Sequence, residues 1–228
     1  MINIEENLQD VLYRIKMAAE KVHRDYDDVT LIVVTKTFDI SVIKEAIKLG
    51  IKNIGETKVQ EAEKKQKGLG KLANKVKWHM IGHIQSNKAK NVAKIFDYVH
   101  SVDSMKVAKK ISETCVRMKK EIPVLIQVNL SGLTYGIRPE KTVEFVNELR
   151  KLKGIQVRGL MTIAPFCTDK EETRPYFRQL KELASKCYLK ELSMGMSNDF
   201  EIAIQEGATM VRIGTAIFGE RIKISSKF

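Results

Sequence analysis

The sequence predicts an α/β protein, a single TIM-type (β/α)8 barrel preceded by an extra N-terminal helix. Short apolar, β-branched runs alternate with amphipathic helical patterns along the chain, the signature of a parallel sheet covered by helices. Eight such units can be counted in 228 residues, a length within the roughly 200–400 residues usual for this barrel. No linker rich in Pro, Gly or Ser divides residues 1–228, so they read as one domain. A doubly wound open sheet is the competing arrangement.

Residues 4–24 form the extra helix, with Ile4, Leu8, Val11, Leu12, Ile15, Ala19 and Val22 on one face. The first strand is Leu31–Val34, ending in Thr35-Lys36-Thr37, and its helix carries Val42, Ile43, Ala46, Ile47 and Leu49 before Gly50 stops it. Asn53–Glu56 is a short second strand, followed by a polar helix around residues 59–62 that breaks at Gly68-Leu69-Gly70. The third strand is Lys77–Gly82, with a helix over 87–95. The fourth is Tyr98–Val102, after which Asp103 or Ser104 caps a helix reaching Met118. The fifth is Val124–Asn129, and Pro139 suits the first turn of the helix that runs to Leu152. The sixth is Val157–Ile163, with its helix over 171–186. The seventh is Glu191–Met196, where Asn198 with Glu201 suggests a capping box and Gly207 ends the helix. The eighth is Met210–Thr215.

The balance of 40 Lys+Arg against 28 Asp+Glu leaves a net charge of +12, which favours anionic partners. No apolar run approaches the ~20 residues of a membrane helix. The first residues carry acids before any base, unlike a targeting leader, so a cytoplasmic protein is expected. Cys115, Cys167 and Cys187 form no CxxC pair and fit buried or half-buried thiols better than disulfides or a zinc site. His79 and His83 have a helical zinc spacing but fall on a strand, where positions four apart lie far from each other.

Function in this barrel gathers at the C-terminal ends of the strands. Lys36 ends the most apolar strand of the chain. Partial desolvation there favours a nucleophilic amine able to capture an aldehyde; the other reading is a lysine extended along the barrel rim. After the seventh strand, Gly195-Met196-Ser197-Asn198 opens a helix, and Gly214-Thr215 follows the eighth. These neighbouring loops form the usual phosphate site of the fold, with Arg212 close by. An amine on the first strand and a phosphate cradle on the last two together describe an aldehyde that carries a phosphate, pyridoxal 5′-phosphate (PLP).

The segments Val34–Thr37, Ile54–Glu56, Trp78–Lys88, Arg158–Ile163, Ser193–Asp199 and Val211–Gly219 resemble, in order, the pyridoxal phosphate homeostasis protein family. That family is similar in fold to the N-terminal barrel of alanine racemase. The resemblance implies that Lys36 holds PLP as a Schiff base and that Ser197, Gly214 and Thr215 bind its phosphate. It places Arg212 against the ring nitrogen or the phosphate, and His79 and Met196 along the pocket. Thr57 stands beside the cofactor where the family usually has asparagine. The loop Ser131–Gly136 is shorter than usual and lacks a lysine before glycine. The implied protein is a cytoplasmic monomer without catalytic or metal-binding residues. It buffers or delivers PLP in vitamin B6 and amino-acid homeostasis, with transient contacts to PLP-dependent enzymes, no nucleic acid and no membrane.

Two other functions remain open from sequence. A weak racemase or other PLP enzyme needs a second acid–base group opposite Lys36, and Tyr135 is the tyrosine near a strand's C-terminal end. A nucleic-acid-binding protein would use Lys64, Lys65, Lys67, Lys71, Lys75 and Lys77, or Lys106, Lys109, Lys110, Lys119 and Lys120. Interleaved Glu61, Glu63, Glu113 and Glu121, and aromatics at only 7%, favour solvated helix faces instead.

Overall fold

The computed structural model describes residues 3–132 and 135–219. Leu133 and Thr134 of the shortened loop lie outside them. Eight parallel strands close a barrel in chain order: β1 (Thr30–Val34), β2 (Asn53–Glu56), β3 (Lys77–Met80), β4 (Tyr98–Val102), β5 (Ile122–Gln127), β6 (Ile155–Met161), β7 (Glu191–Met196) and β8 (Met210–Ile213). β8 returns to pair with β1, Thr30 opposite Met210 and Val33 opposite Ile213. This closure rules out the open doubly wound sheet. After β1 to β7 come α2 (Ile40–Lys48), α3 (Val59–Leu69), α4 (Ala89–Ile95), α5 (Met105–Arg117), α6 (Thr142–Arg150), α7 (Arg174–Lys186) and α8 (Phe200–Gln205). The extra helix α1 (Ile4–Glu20) precedes β1, and a single turn, α9 (Thr215–Phe218), follows β8. Among the described residues no helix is long and apolar enough to cross a membrane.

Strand alternation sorts the side chains into two layers. Outward residues such as Val33, Ile54, Trp78, Ile126 and Leu160 join Ile43, Val92, Ile111 and Phe177 of the helices in the main core. Inward residues Ile32, Leu125, Met161 and Met210 form a smaller apolar cluster inside the barrel, with Tyr98 and Ile163 packed on it. The remaining interior is polar, and that asymmetry positions the site.

Several boundaries differ from the sequence expectation. α1 ends at Glu20 instead of residue 24, because His23 takes a left-handed backbone (φ +54°). The turn frees Arg24 to donate to the carbonyls of Ile204 and Ala208 at the end of α8, at 2.8 and 3.0 Å. α1 thus serves the last barrel unit: Asn7 Nδ2 also donates to Ile217 O in α9 at 2.9 Å, and Arg14 pairs with Glu201 on α8. β5 ends at Gln127, not Asn129; the Val128 N–H still donates to Met161 O at 2.8 Å, but Val128 bridges Ile137 of the following loop. β6 is shifted to Ile155–Met161. β8 stops at Ile213 because Gly214 turns the chain into α9. Ser104, not Asp103, caps α5, accepting the Val107 N–H at 3.4 Å. The expected capping box at Asn198 and Glu201 does not form. Asp199 is the N-cap residue of α8, and its carboxylate turns back to accept the Met196 N–H at 2.6 Å.

Candidate functional site

A cavity of about 310 Å3 opens at the C-terminal mouth of the barrel. Its floor is apolar, from Val34, Ile81 and Ile163, and Phe166 flanks its entrance. Its polar wall contains Lys36, Thr57, Ser197, Asn198, Arg212 and Thr215, together with Met196 and Gly214. Seven of the eight residues expected from sequence therefore share one cavity. A wider cleft of about 660 Å3 lies at the opposite end, between α1 and the starts of β1 and β2. It is away from the strand ends where this fold gathers its chemistry.

The backbone shapes the polar wall. Gly195 has φ +91°, a conformation side chains disfavour, and a Cβ there would lie 2.6 Å from Ala203 Cβ and 2.9 Å from Phe200 Cα. The kink lets β7 run directly onto α8. Asp199 closes the following turn, its N–H donating to Met196 O at 3.1 Å, and so presents Ser197 and Asn198 to the cavity. The Gly214 and Ala216 N–H groups both donate to Ser197 Oγ, each at 3.3 Å. Two amides thus converge on one acceptor beside the Thr215 hydroxyl, a donor set suited to a phosphate oxygen.

Arg212 is buried on the inner face of β8. Its Nη1 donates to Ser193 Oγ at 2.6 Å and its Nη2 to Thr162 O at 2.8 Å. Burial pushes its pKa down to about 10, with Asp199 partly opposing, so it stays a cation at neutral pH. Below it runs a buried chain: His100 Nδ1 is 2.8 Å from Ser193 Oγ, His100 Nε2 is 2.9 Å from His79 Nδ1, and His79 Nε2 is 3.1 Å from Asn53 Oδ1.

His79 is the expected site residue that does not line the cavity. It points inward, but one layer beneath Ile81, and its ring stacks on Tyr98 with centroids 5.3 Å apart. Alternation places His79 and Ile81 on the same face; the depth of each follows from its neighbours' register, which pairs His79 with Gly55 and Tyr98. His83 lies on the rim, 3.0 Å from Asp103 Oδ2, so the two histidines do not converge. Tyr135 stacks on His83 with centroids 3.9 Å apart and does not line the cavity. Lys65, counted above in an exposed basic stretch, is buried and paired with Glu56 and Glu61 at 2.7 Å each. Its burial with Glu56, Ser193 beneath Arg212, and His100 were not singled out in the sequence. The only prior signal was the i, i+4 spacing of Glu61 and Lys65.

Burial, aided by nearby Lys77, pushes the His79 pKa down to about 3. Burial, then His79 and Arg212, hold His100 well below its usual value. An unfolded histidine titrates near 6.5, so unfolding takes up protons below that pH while the folded rings stay neutral. The buried carboxyls of Glu56, Asp103 and Asp199 are raised by desolvation and act with the opposite sign. Two uncharged imidazoles are expected to dominate, costing roughly 1–4 kcal/mol of stability between pH 7.5 and pH 5. Urea unfolding at the two pH values measures this; a stability that rises on acidification would refute it.

Residues 7–222 match the model of the alanine racemase N-terminal domain family. A pyridoxal phosphate homeostasis protein of Aquifex aeolicus is 40% identical over 228 residues, covering 96% of this chain and 99% of its own. One from Pseudomonas aeruginosa is 40% identical over 225 residues, covering 97% of each chain. The structure of PipY from Synechococcus elongatus with PLP bound superposes with a TM-score of 0.84 at 35% identity, over 95% of this chain and 100% of that one. The barrel, the cavity at its mouth and these full-length similarities place the chain in the pyridoxal phosphate homeostasis protein family, built on the alanine racemase N-terminal domain.

Proposed function

We propose that this chain binds PLP at the barrel mouth and holds it for buffering and supply to other enzymes, as a cytoplasmic monomer, without turning it over. The observation that carries the reading is the donor set of the cavity. One lysine amine, one buried guanidinium and the hydroxyls of Thr57, Ser197 and Thr215 line the cavity above an apolar floor, and the Gly214 and Ala216 amides converge on Ser197 Oγ. That set matches an aldehyde bearing a phosphate on a flat ring, and it matches a nucleic-acid backbone poorly, since Lys36 is the one lysine among the described lining residues.

When bound, PLP supplies an aldehyde open to amines and a ring able to accept electrons. Lys36 provides the amine that captures the aldehyde covalently. Val34, Ile81 and Ile163 exclude water from beneath it. Ser197, Thr215 and the Gly214 and Ala216 amides hold the phosphate. Arg212 is fixed by Ser193 and Thr162, so its charge reaches the cavity in one orientation. Racemisation requires a second acid–base group facing Lys36 across the substrate carbon. Among the described lining residues there is no carboxylate, histidine or tyrosine, which supports holding over turnover. If Arg212 meets the ring nitrogen, a guanidinium that keeps its proton would leave that nitrogen unprotonated and so weaken the ring as an electron acceptor.

Adding PLP, recording the visible spectrum, reducing with borohydride and mapping peptides tests this. A single adduct on Lys36, and reactivation of a PLP-free enzyme by the loaded protein before reduction, are the expected results. Adducts scattered over surface lysines would overturn the assignment of the pocket. Sustained racemisation of an amino acid would overturn the holding role.

A further inference from the structure

Lys36 lies in a tight turn whose backbone is held from behind. The Phe38 N–H donates to Thr35 O at 3.1 Å, so Lys36 and Thr37 are the two central residues of a β-turn. Thr37 has φ +69°. The third position of such a turn favours glycine or asparagine, and a β-branched residue is among the poorest occupants. A strained backbone of this kind persists where its surroundings over-determine it.

The surroundings are three ionisable side chains that touch both neighbours of Lys36. Thr35 Oγ1 donates to Glu56 Oε1 at 2.5 Å, and Thr35 O accepts from Lys65 Nζ at 2.6 Å. The Thr37 N–H donates to Glu61 Oε1 at 2.5 Å. Lys65 Nζ also lies 2.7 Å from Glu56 Oε1 and 2.7 Å from Glu61 Oε1. The three donors of the lysine head group thus each have an acceptor, and one of those acceptors is the backbone beside Lys36. Glu56 and Lys65 are buried and Glu61 is partly so, and Glu56 Oε2 has no partner among the described residues. Buried ion pairs seldom stabilise a fold better than apolar side chains of similar size, and an unpaired carboxylate oxygen makes this one poorer still. Its geometry is organised around the turn.

We propose that Glu61, Lys65 and Glu56 are positioning residues that clamp the Thr35–Phe38 turn and so aim the Lys36 amine into the cavity. The inference rests on Lys36 being the residue that captures PLP. The clamp holds a left-handed Thr37 in place from the helix side, leaving the face of the turn toward the cavity to Lys36.

The test uses Glu61→Ala, which removes the acceptor of the Thr37 N–H, and Glu61→Ala combined with Thr37→Gly. Glycine adopts φ +69° without strain, so it should restore the turn when the clamp is gone. Expected for Glu61→Ala are faster hydrogen exchange at the Thr37 amide without PLP, and PLP affinity lowered about tenfold with a weakened visible band. The double variant should recover affinity to within about threefold. A merely structural role for Glu61 would not be rescued by glycine at 37. Unchanged exchange and affinity in folded Glu61→Ala, or a loss that Thr37→Gly does not recover, would overturn the clamp. Exchange is read without PLP, so it decides the clamp even if the wild-type protein fails to take up PLP, a result that counts against the binding site alone.

Discussion

Lys36→Ala is expected to abolish the visible absorbance of the PLP-loaded protein and weaken PLP binding by about two orders of magnitude, near 2.8 kcal/mol. Covalent capture converts a diffusing aldehyde into a tethered one. Without it only the phosphate contacts and ring packing remain, and these are polar groups that water replaces at modest cost. Lys36→Arg should lose the band equally, because a guanidinium keeps the charge but offers no nucleophilic amine at neutral pH. The two variants together separate capture from attraction of an anion: residual affinity retained by arginine and lost by alanine would measure the charge alone. Lys36 is half-exposed at the end of β1, so both proteins should stay within about 0.5 kcal/mol of wild-type stability. A visible band surviving in Lys36→Ala would place the capture elsewhere.

Gly195→Ala is expected to produce the largest loss of stability among single methyl additions at the site. The residue sits at φ +91°, and the new Cβ would lie 2.9 Å from the Phe200 Cα and 2.6 Å from the Ala203 Cβ. Both neighbours are fully buried on α8, so relief requires the helix to move. Backbone strain and overpacking together should cost about 2–5 kcal/mol. For a chain of this size that lowers Tm by roughly 5–15 °C. The displaced helix carries Asp199, which closes the turn presenting Ser197, so phosphate contacts fall with it. Thermal unfolding and PLP titration check both; a Tm within 2 °C of wild type, a margin of about 1 kcal/mol, would show that the site tolerates the methyl group.

The barrel was legible in the sequence because its strands are brief apolar runs and its helices carry separate apolar stripes, so the period changes at each boundary. Lys36, Ser197 and Gly214 were legible by a rule of position: they follow the last residues of β1, β7 and β8. Depth was not legible. Alternation assigns His79 to the inner face but not to a layer, which depends on where β2 and β4 sit alongside it. Burial of Lys65 was hidden for a related reason. Its partner Glu56 comes from the preceding strand, and a lysine between glutamates on a polar helix looks the same whether it faces water or a carboxylate. The early end of α1 was hidden because the left-handed turn at His23 is matched by contacts of Arg24 with α8, nearly the whole chain away.

The chain from Arg212 to Asn53 carries a consequence of its own. Asn53 Oδ1 can only accept, so neutral His79 carries its proton on Nε2 and accepts at Nδ1 from His100 Nε2–H. His100 Nδ1 is then an acceptor, so Ser193 gives it the hydroxyl hydrogen while its oxygen accepts from Arg212. Every dipole in this row points the same way, and no member can turn without its neighbours turning too. Both imidazoles are thereby fixed as one tautomer, and the interior of the barrel becomes an ordered polar column with its positive head at the cavity in the barrel mouth and its tail at the far opening. A charge bound at the mouth is expected to shift the 15N resonances of both imidazoles, although neither lines the cavity; resonances that stay put when PLP is added would show that the column does not carry the effect.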